Sequence, residues 1–135
     1  MFPPNSDTGT VTAILERVTG CHGITLYTDS AGWCYAVGLP ACGDGLLLRG
    51  AGQDPRSAGA AFLERNLTWI RHEKMREQEG RCLLCTSTGP LQLHHLEERS
   101  HGRNDRPSNL VVLCHNCHER RPECCDGTQT SKNFS

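Results

Sequence analysis

Two Cys-x-x-Cys pairs, Cys82/Cys85 and Cys114/Cys117, constrain this chain more than any other feature of its sequence. The 28 residues between the pairs are enough to carry a small fold and still close on one ion. Each pair forms a knuckle that can turn two thiolates towards the same centre, and zinc favours four soft ligands in a tetrahedron. Cys82, Cys85, Cys114 and Cys117 therefore read as a structural zinc clamp. Such a site contributes folding free energy directly, which a segment with few large apolar residues needs. The chain holds nine cysteines in 135 residues. The odd count, the paired spacing and the interleaved histidines point to metal in a reducing compartment rather than to disulfides. Cys21, Cys34 and Cys42 have irregular spacing and read as ordinary buried thiols.

Inside the clamp, Leu91-Gln-Leu93-His94-His95-Leu96 has the pattern of a strand, so the two adjacent imidazoles should point to opposite sides. A polar loop runs from Glu97 to Ser108. Asn109 then opens a second strand, Leu110 to Leu113, and Cys114 leads a short helix that carries Cys117, His118, Arg120 and Arg121 until Pro122 breaks it. Strand, loop, strand and helix make a ββα unit.

The order His-His, then Asn, then His directly after a Cys-x-x-Cys resembles the HNH endonuclease family, whose fold is the ββα-metal finger. Asn109-Leu-Val-Val-Leu-Cys-His-Asn-Cys-His is similar to that family's second half, and Arg99-Ser100-His101-Gly102 resembles its Ser-x-Gly-Gly loop with Arg103 in place of the second glycine. The resemblance covers Arg81 to Arg121. It implies that His94 is a ligand of a catalytic divalent ion and that His95 is the general base acting on water. It also implies that Asn109 braces the long loop and fixes the base, and that His118 is a second ligand of the ion. The extra ligand that some members carry four residues later is Pro122 here, so water and a phosphate oxygen would complete the shell. Mg²⁺ or Mn²⁺ suits such a site, while Ni²⁺ or Zn²⁺ suits two imidazoles.

Double-stranded DNA is the implied substrate. Arg99, Arg103, Arg120 and Arg121 are the candidates to touch its phosphates. One ββα site cuts one strand at a time, so cutting both calls for a homodimer or for a phage or bacterial partner protein. The alternative reading is a catalytically inactive four-cysteine zinc module that binds nucleic acid or protein. It needs none of His94, His95 and His118.

Ahead of the clamp the expected order is α-β-β-β-α, which makes the chain α+β as a whole. Val11, Ile14, Leu15 and Val18 mark one helical face, and Gly20 stops it. Strand-like pieces follow at Ile24–Thr28, Trp33–Gly38 and Leu46–Arg49. Asp54 is an N-cap with Pro55 at the first helical position. Ala58, Ala61, Phe62, Leu63, Leu67 and Ile70 form that helix's core face, and Gly80 ends it. The expected organisation is a flexible arm at 1–9, an accessory domain at 10–80, an HNH-type domain at 81–121 and a disordered tail at 122–135.

In outline the accessory domain resembles three-stranded DNA-reading domains and, through Gly50-Ala-Gly52 before an Ala-rich helix, the double-stranded-RNA-binding domain. Both families hold phosphates with basic side chains, however. Residues 1–55 contain two basic side chains against five acidic ones, whereas residues 56–135 contain twelve against ten. The clamp half is thus the one suited to a phosphate backbone. The leading residues lack the basic and apolar regions of a signal peptide, and no run approaches a membrane span. An intracellular protein, bacterial or phage-encoded and cytoplasmic, is the expectation.

Overall fold

The computed structural model describes residues 2–43, 46–97, 103–115 and 117. In chain order the elements are α1 (Thr8–Thr19), β1 (His22–Thr28), β2 (Cys34–Leu39), β3 (Leu48–Gly52), α2 (Pro55–Glu77), β4 (Leu91–His95), a 3-10 turn (Pro107–Asn109) and β5 (Leu110–Cys114). The molecule is a mixed α+β protein with a three-stranded and a two-stranded sheet. It divides into two compact units, the first ending at Trp69 and the second beginning at Ile70, so the division falls within α2. Among the described residues no helix is long and apolar enough to cross a membrane.

The front unit is two layers, helices over one face of an antiparallel sheet ordered β1-β2-β3. Helix α1 starts at Thr8, ahead of the apolar stripe, because the Asp7 carboxylate accepts from the Thr10 N–H at 2.7 Å and caps the first turn. Gly20 closes it in a left-handed conformation. Val11, Leu15 and Val18 are fully buried, as the spacing requires. They pack with Ile24, Cys34, Ala36 and Leu48 of the sheet and with Ala58, Phe62 and Leu63 of α2. Phe2, Ile14, Leu26 and Trp69 pad the edges of this core. Asp54 caps α2 by accepting from Ser57 N–H at 2.8 Å.

The third strand is displaced from the expected Leu46–Arg49 to Leu48–Gly52. Leu46 and Leu47 are more than half exposed, while two glycines take the inward positions. Close approach explains the exchange. A Cβ on Gly50 would lie 2.2 Å from the Phe62 backbone nitrogen, and one on Gly52 would lie 2.5 Å from the Ser57 Cβ. Helix α2 thus lies directly on the β3 backbone, and leucines there would hold it off.

The rear unit begins with the last turns of α2. Past them Gly80, at φ 70°, donates its N–H to the Met75 carbonyl at 2.8 Å. The β4–β5 pair is antiparallel, with His94 opposite Val111 and His95 opposite Leu110. Leu110, Val112 and Leu113 are fully buried. At Val112 the side chain of Gln78 acts like an added strand. Its Nε2 donates to the Val112 carbonyl at 2.9 Å and its Oε1 accepts from the Val112 N–H at 3.1 Å. Leu83 N–H also reaches that carbonyl, at 3.1 Å. Edge groups that would otherwise stay unpaired are satisfied.

Candidate active site and metal centre

The four clamp cysteines are brought together by different elements. Cys82 and Cys85 lie on the turn after α2, Cys114 ends β5, and Cys117 sits in the helical backbone that follows. Their Sγ atoms all lie within 4.8 Å of one another, and Cys82, Cys114 and Cys117 are buried. Cys85 Sγ and Cys114 Sγ are 3.6 Å apart. Zinc–sulfur bonds of about 2.3 Å place tetrahedral sulfurs roughly 3.8 Å apart, so the spacing fits a single zinc ion.

The electrostatics agree with that fit. Burial acts to raise the Cys82 thiol, but hydrogen bonds from the backbone of Cys114, Cys85 and Leu84 outweigh it and hold the group below its ordinary value. At Cys114 burial raises the thiol, and the neighbouring sulfurs of Cys85 and Cys82 push it further up against the Cys117 N–H. One thiolate is favoured and the next is resisted by it, a repulsion that a divalent cation would relieve. Among the described residues, this is the group of cysteine, histidine and carboxylate side chains that converges well enough to hold a metal. Cys21 and Cys34 are buried free thiols in the front unit.

His94 and His95 end β4 as neighbours whose side chains alternate across the strand. The His95 ring is mostly buried, and its Nε2 lies 2.8 Å from Asp105 Oδ1. Asp105 has no exposed surface, and its second oxygen accepts from Arg103 Nε at 2.8 Å. Burial acts to raise the Asp105 carboxyl, but the hydrogen bond with His95 and the Arg103 guanidinium hold it below the usual carboxylate value.

Asn109, also buried, ties the two ends of the loop together. Its Oδ1 accepts from Glu97 N–H at 2.8 Å, and its Nδ2 donates to the Asn104 carbonyl at 2.8 Å. Its own carbonyl accepts from Leu96 N–H at 2.8 Å. One side chain thus binds the backbone just after His95 to the backbone just before Asp105.

The sequence-derived site residues therefore divide into three groups. The four cysteines converge. His94, His95 and Asn109 lie at facing ends of the β4–β5 pair, with Arg103 attached to Asp105. His118, Arg99, Arg120 and Arg121 lie outside the described residues. Asp105 was missed. It stands in a polar loop ten residues after His95 with no periodicity to mark it, and its carboxylate reads as solvated in the sequence.

Neither the curated proteins nor the solved structures yield a match to this chain. The family model for HNH endonuclease matches residues 82–122, a span that contains all four clustered cysteines and agrees with the family resemblance read from the order of the motif.

Proposed function

We propose that this chain is a metal-dependent endonuclease that hydrolyses DNA phosphodiesters, with His95 as the general base. The observation that supports the reading best is the bracing of His95 within the family-matched span. Asn109 ties Glu97, after the histidine, to Asn104, before Asp105, and the His95 ring itself is held by Asp105, so the ring is positioned by structure rather than by substrate. A neutral imidazole can accept a proton at physiological pH.

Water held beside His95 loses a proton to the ring as its oxygen attacks phosphorus. The P–O3′ bond breaks, the 3′-oxygen takes a proton from solvent, and a 5′-phosphate remains. His94 and His118 would hold the divalent ion, Mg²⁺ or Mn²⁺, and two imidazoles leave room in its shell for water and a phosphate oxygen. Such an ion, when bound, neutralises charge on the scissile phosphate and on the leaving oxygen. The clamp zinc has no part in the reaction; it fixes the strands that carry these residues. Arg99, Arg103, Arg120 and Arg121 would contact phosphates of double-stranded DNA in the cytoplasm of a bacterium, host or phage-infected. Cleavage of both strands would need a second copy or a partner.

The test is conversion of supercoiled plasmid by the purified, zinc-loaded chain with Mg²⁺, Mn²⁺ or Ni²⁺, against an EDTA control and His95→Ala. Open-circular or linear product from the wild type alone supports the reading. No conversion with any ion would leave a zinc module that binds without cutting.

A further inference from the structure

We infer that Asp105 is a positioning residue for His95: it holds Nε2 as the protonated nitrogen of the ring and leaves Nδ1 as the atom that takes the proton from water. This deepens the nuclease reading and rests on it for the kinetic consequence, while the geometry stands by itself.

The argument starts from the burial of a carboxylate. Removing such a group from water is costly unless it is paired and hydrogen-bonded. Asp105 is fully buried, and each of its oxygens has a partner at 2.8 Å, His95 Nε2 on one side and Arg103 Nε on the other. An ionised carboxylate only accepts hydrogen bonds. The ring nitrogen facing it must therefore carry the hydrogen, and in a neutral imidazole that leaves the lone pair on Nδ1. The contact thus sets the tautomer as well as the angle of the ring.

The carboxylate cannot readily turn away. Arg103 holds its second oxygen, and the preceding residue is tied down twice. The Asn104 carbonyl accepts from Asn109 Nδ2, and Asn104 Oδ1 accepts from Arg106 N–H at 3.1 Å. Ring, carboxylate and the backbone of Asn104 are thus held by contacts within the protein.

During the reaction the water proton moves to Nδ1 and the ring becomes an imidazolium. The hydrogen on Nε2 stays where it is, and Asp105 keeps its charge. Its carboxylate then faces the positive ring and stabilises charge where it develops. Arg103 accordingly serves to hold Asp105, whatever it contributes to binding phosphates.

Asp105→Asn is the informative variant, since it keeps size and one acceptor oxygen while its amide nitrogen can donate to Nε2 and reverse the tautomer. A carboxylate-to-amide change beside a catalytic histidine acts in this way in the serine-protease triad. The full chain, zinc-loaded and 15N-labelled on histidine, is assayed for cleavage and examined by long-range 15N–1H spectra. The His95 signal is assigned by its loss in His95→Ala.

The expected result is a wild-type ring protonated at Nε2 and, in Asp105→Asn, a loss of that tautomer. With it kcat should fall at least 100-fold, KM should stay within about twofold and bound zinc should be unchanged. An unchanged kcat in Asp105→Asn, or a wild-type ring protonated at Nδ1, overturns the inference. So does a variant that loses zinc and in which KM rises as kcat falls, since that is the mark of a merely structural role. If the wild type cleaves nothing, the nuclease reading fails by itself. The tautomer in wild type and variant then still decides whether Asp105 sets the ring.

Discussion

Phe62 in the front unit and Asp105 in the rear unit are both fully buried, yet they represent two ways of holding a fold together. Around Phe62 lie aliphatic side chains from two helices and three strands. Burying such a ring contributes roughly 1.5–3 kcal/mol through surface removed from water. Around Asp105 lie an imidazole, a guanidinium and a loop pinned by Asn109. Those contacts mainly offset the cost of desolvating polar groups.

The rear unit's apolar cluster at the clamp is small, its buried members being Leu113 and three clamp cysteines, Cys82, Cys114 and Cys117. The front unit is held by packing, whereas in the rear unit the four-cysteine cluster could add metal coordination to the packing of Leu110, Val112 and Leu113. The polar interior that results suits the proposed chemistry, since an imidazole held by a buried carboxylate is not available in an aliphatic core.

The largest effect should come from taking the metal away. Both tryptophans, Trp33 and Trp69, belong to the front unit, and Trp69 packs against its core, so their fluorescence reports on that unit. Stripping zinc with a strong chelator, or replacing Cys117 by Ser, should unfold residues of the rear unit. The coordination free energy lost is on the order of 10 kcal/mol. Amide exchange should show β4 and β5 losing protection while tryptophan fluorescence stays native. Collapse of both signals together would mean that the units do not fold separately.

Next in size, His95→Ala should lower cleavage about 10²–10⁴-fold with bound zinc and DNA affinity unchanged. The readout is single-turnover plasmid cleavage beside a gel-shift titration, and a variant as fast as wild type would remove His95 from the reaction.

A front-unit counterpart is Gly50→Ala. The added Cβ meets helix backbone, which cannot rotate aside. We expect a loss of about 1–3 kcal/mol in the urea transition followed by tryptophan fluorescence. Zinc content should not change. Equal stability to wild type would show that α2 can lift from β3 at little cost.

The smallest effect concerns pH. The folded Asp105 carboxyl lies below its ordinary 3.8. Its contribution is therefore complete above that value and is lost as pH falls through the lower folded value. Acid melting of the rear unit, measured for wild type and Asp105→Asn, should show the wild-type advantage shrinking only under strongly acid conditions. An advantage that persists undiminished once the carboxyl is protonated would contradict the pairing.

Much of this was legible in the sequence because it depends on spacing. Cys-x-x-Cys brings two sulfurs to one side of a turn whatever the surroundings, and positions 11, 15 and 18 share a helical face in any amphipathic helix. Asp54-Pro55 starts α2 through local hydrogen bonding alone. The register of β3 was less accessible. Leu46 and Leu47 look like better strand residues than Gly50 and Gly52, and only the nearness of α2 makes side chains unacceptable at the inward positions.

Asp105 was not legible at all. Its carboxylate is indistinguishable in the sequence from the solvated charges around it, and it becomes a buried partner of His95 only in the fold, where Asn109 binds the neighbouring Asn104 carbonyl. The convergence of the four cysteines, the two rear strands and the placing of the paired histidines at a strand end could be read from the residues, since each follows from local geometry and ligand chemistry, while the helix expected after Cys114 lies largely outside the described residues. Only the folded chain shows which carboxylate faces His95 and where the helix rests on the sheet. Both depend on residues far apart in the chain coming within a few ångströms, and no local pattern encodes that distance.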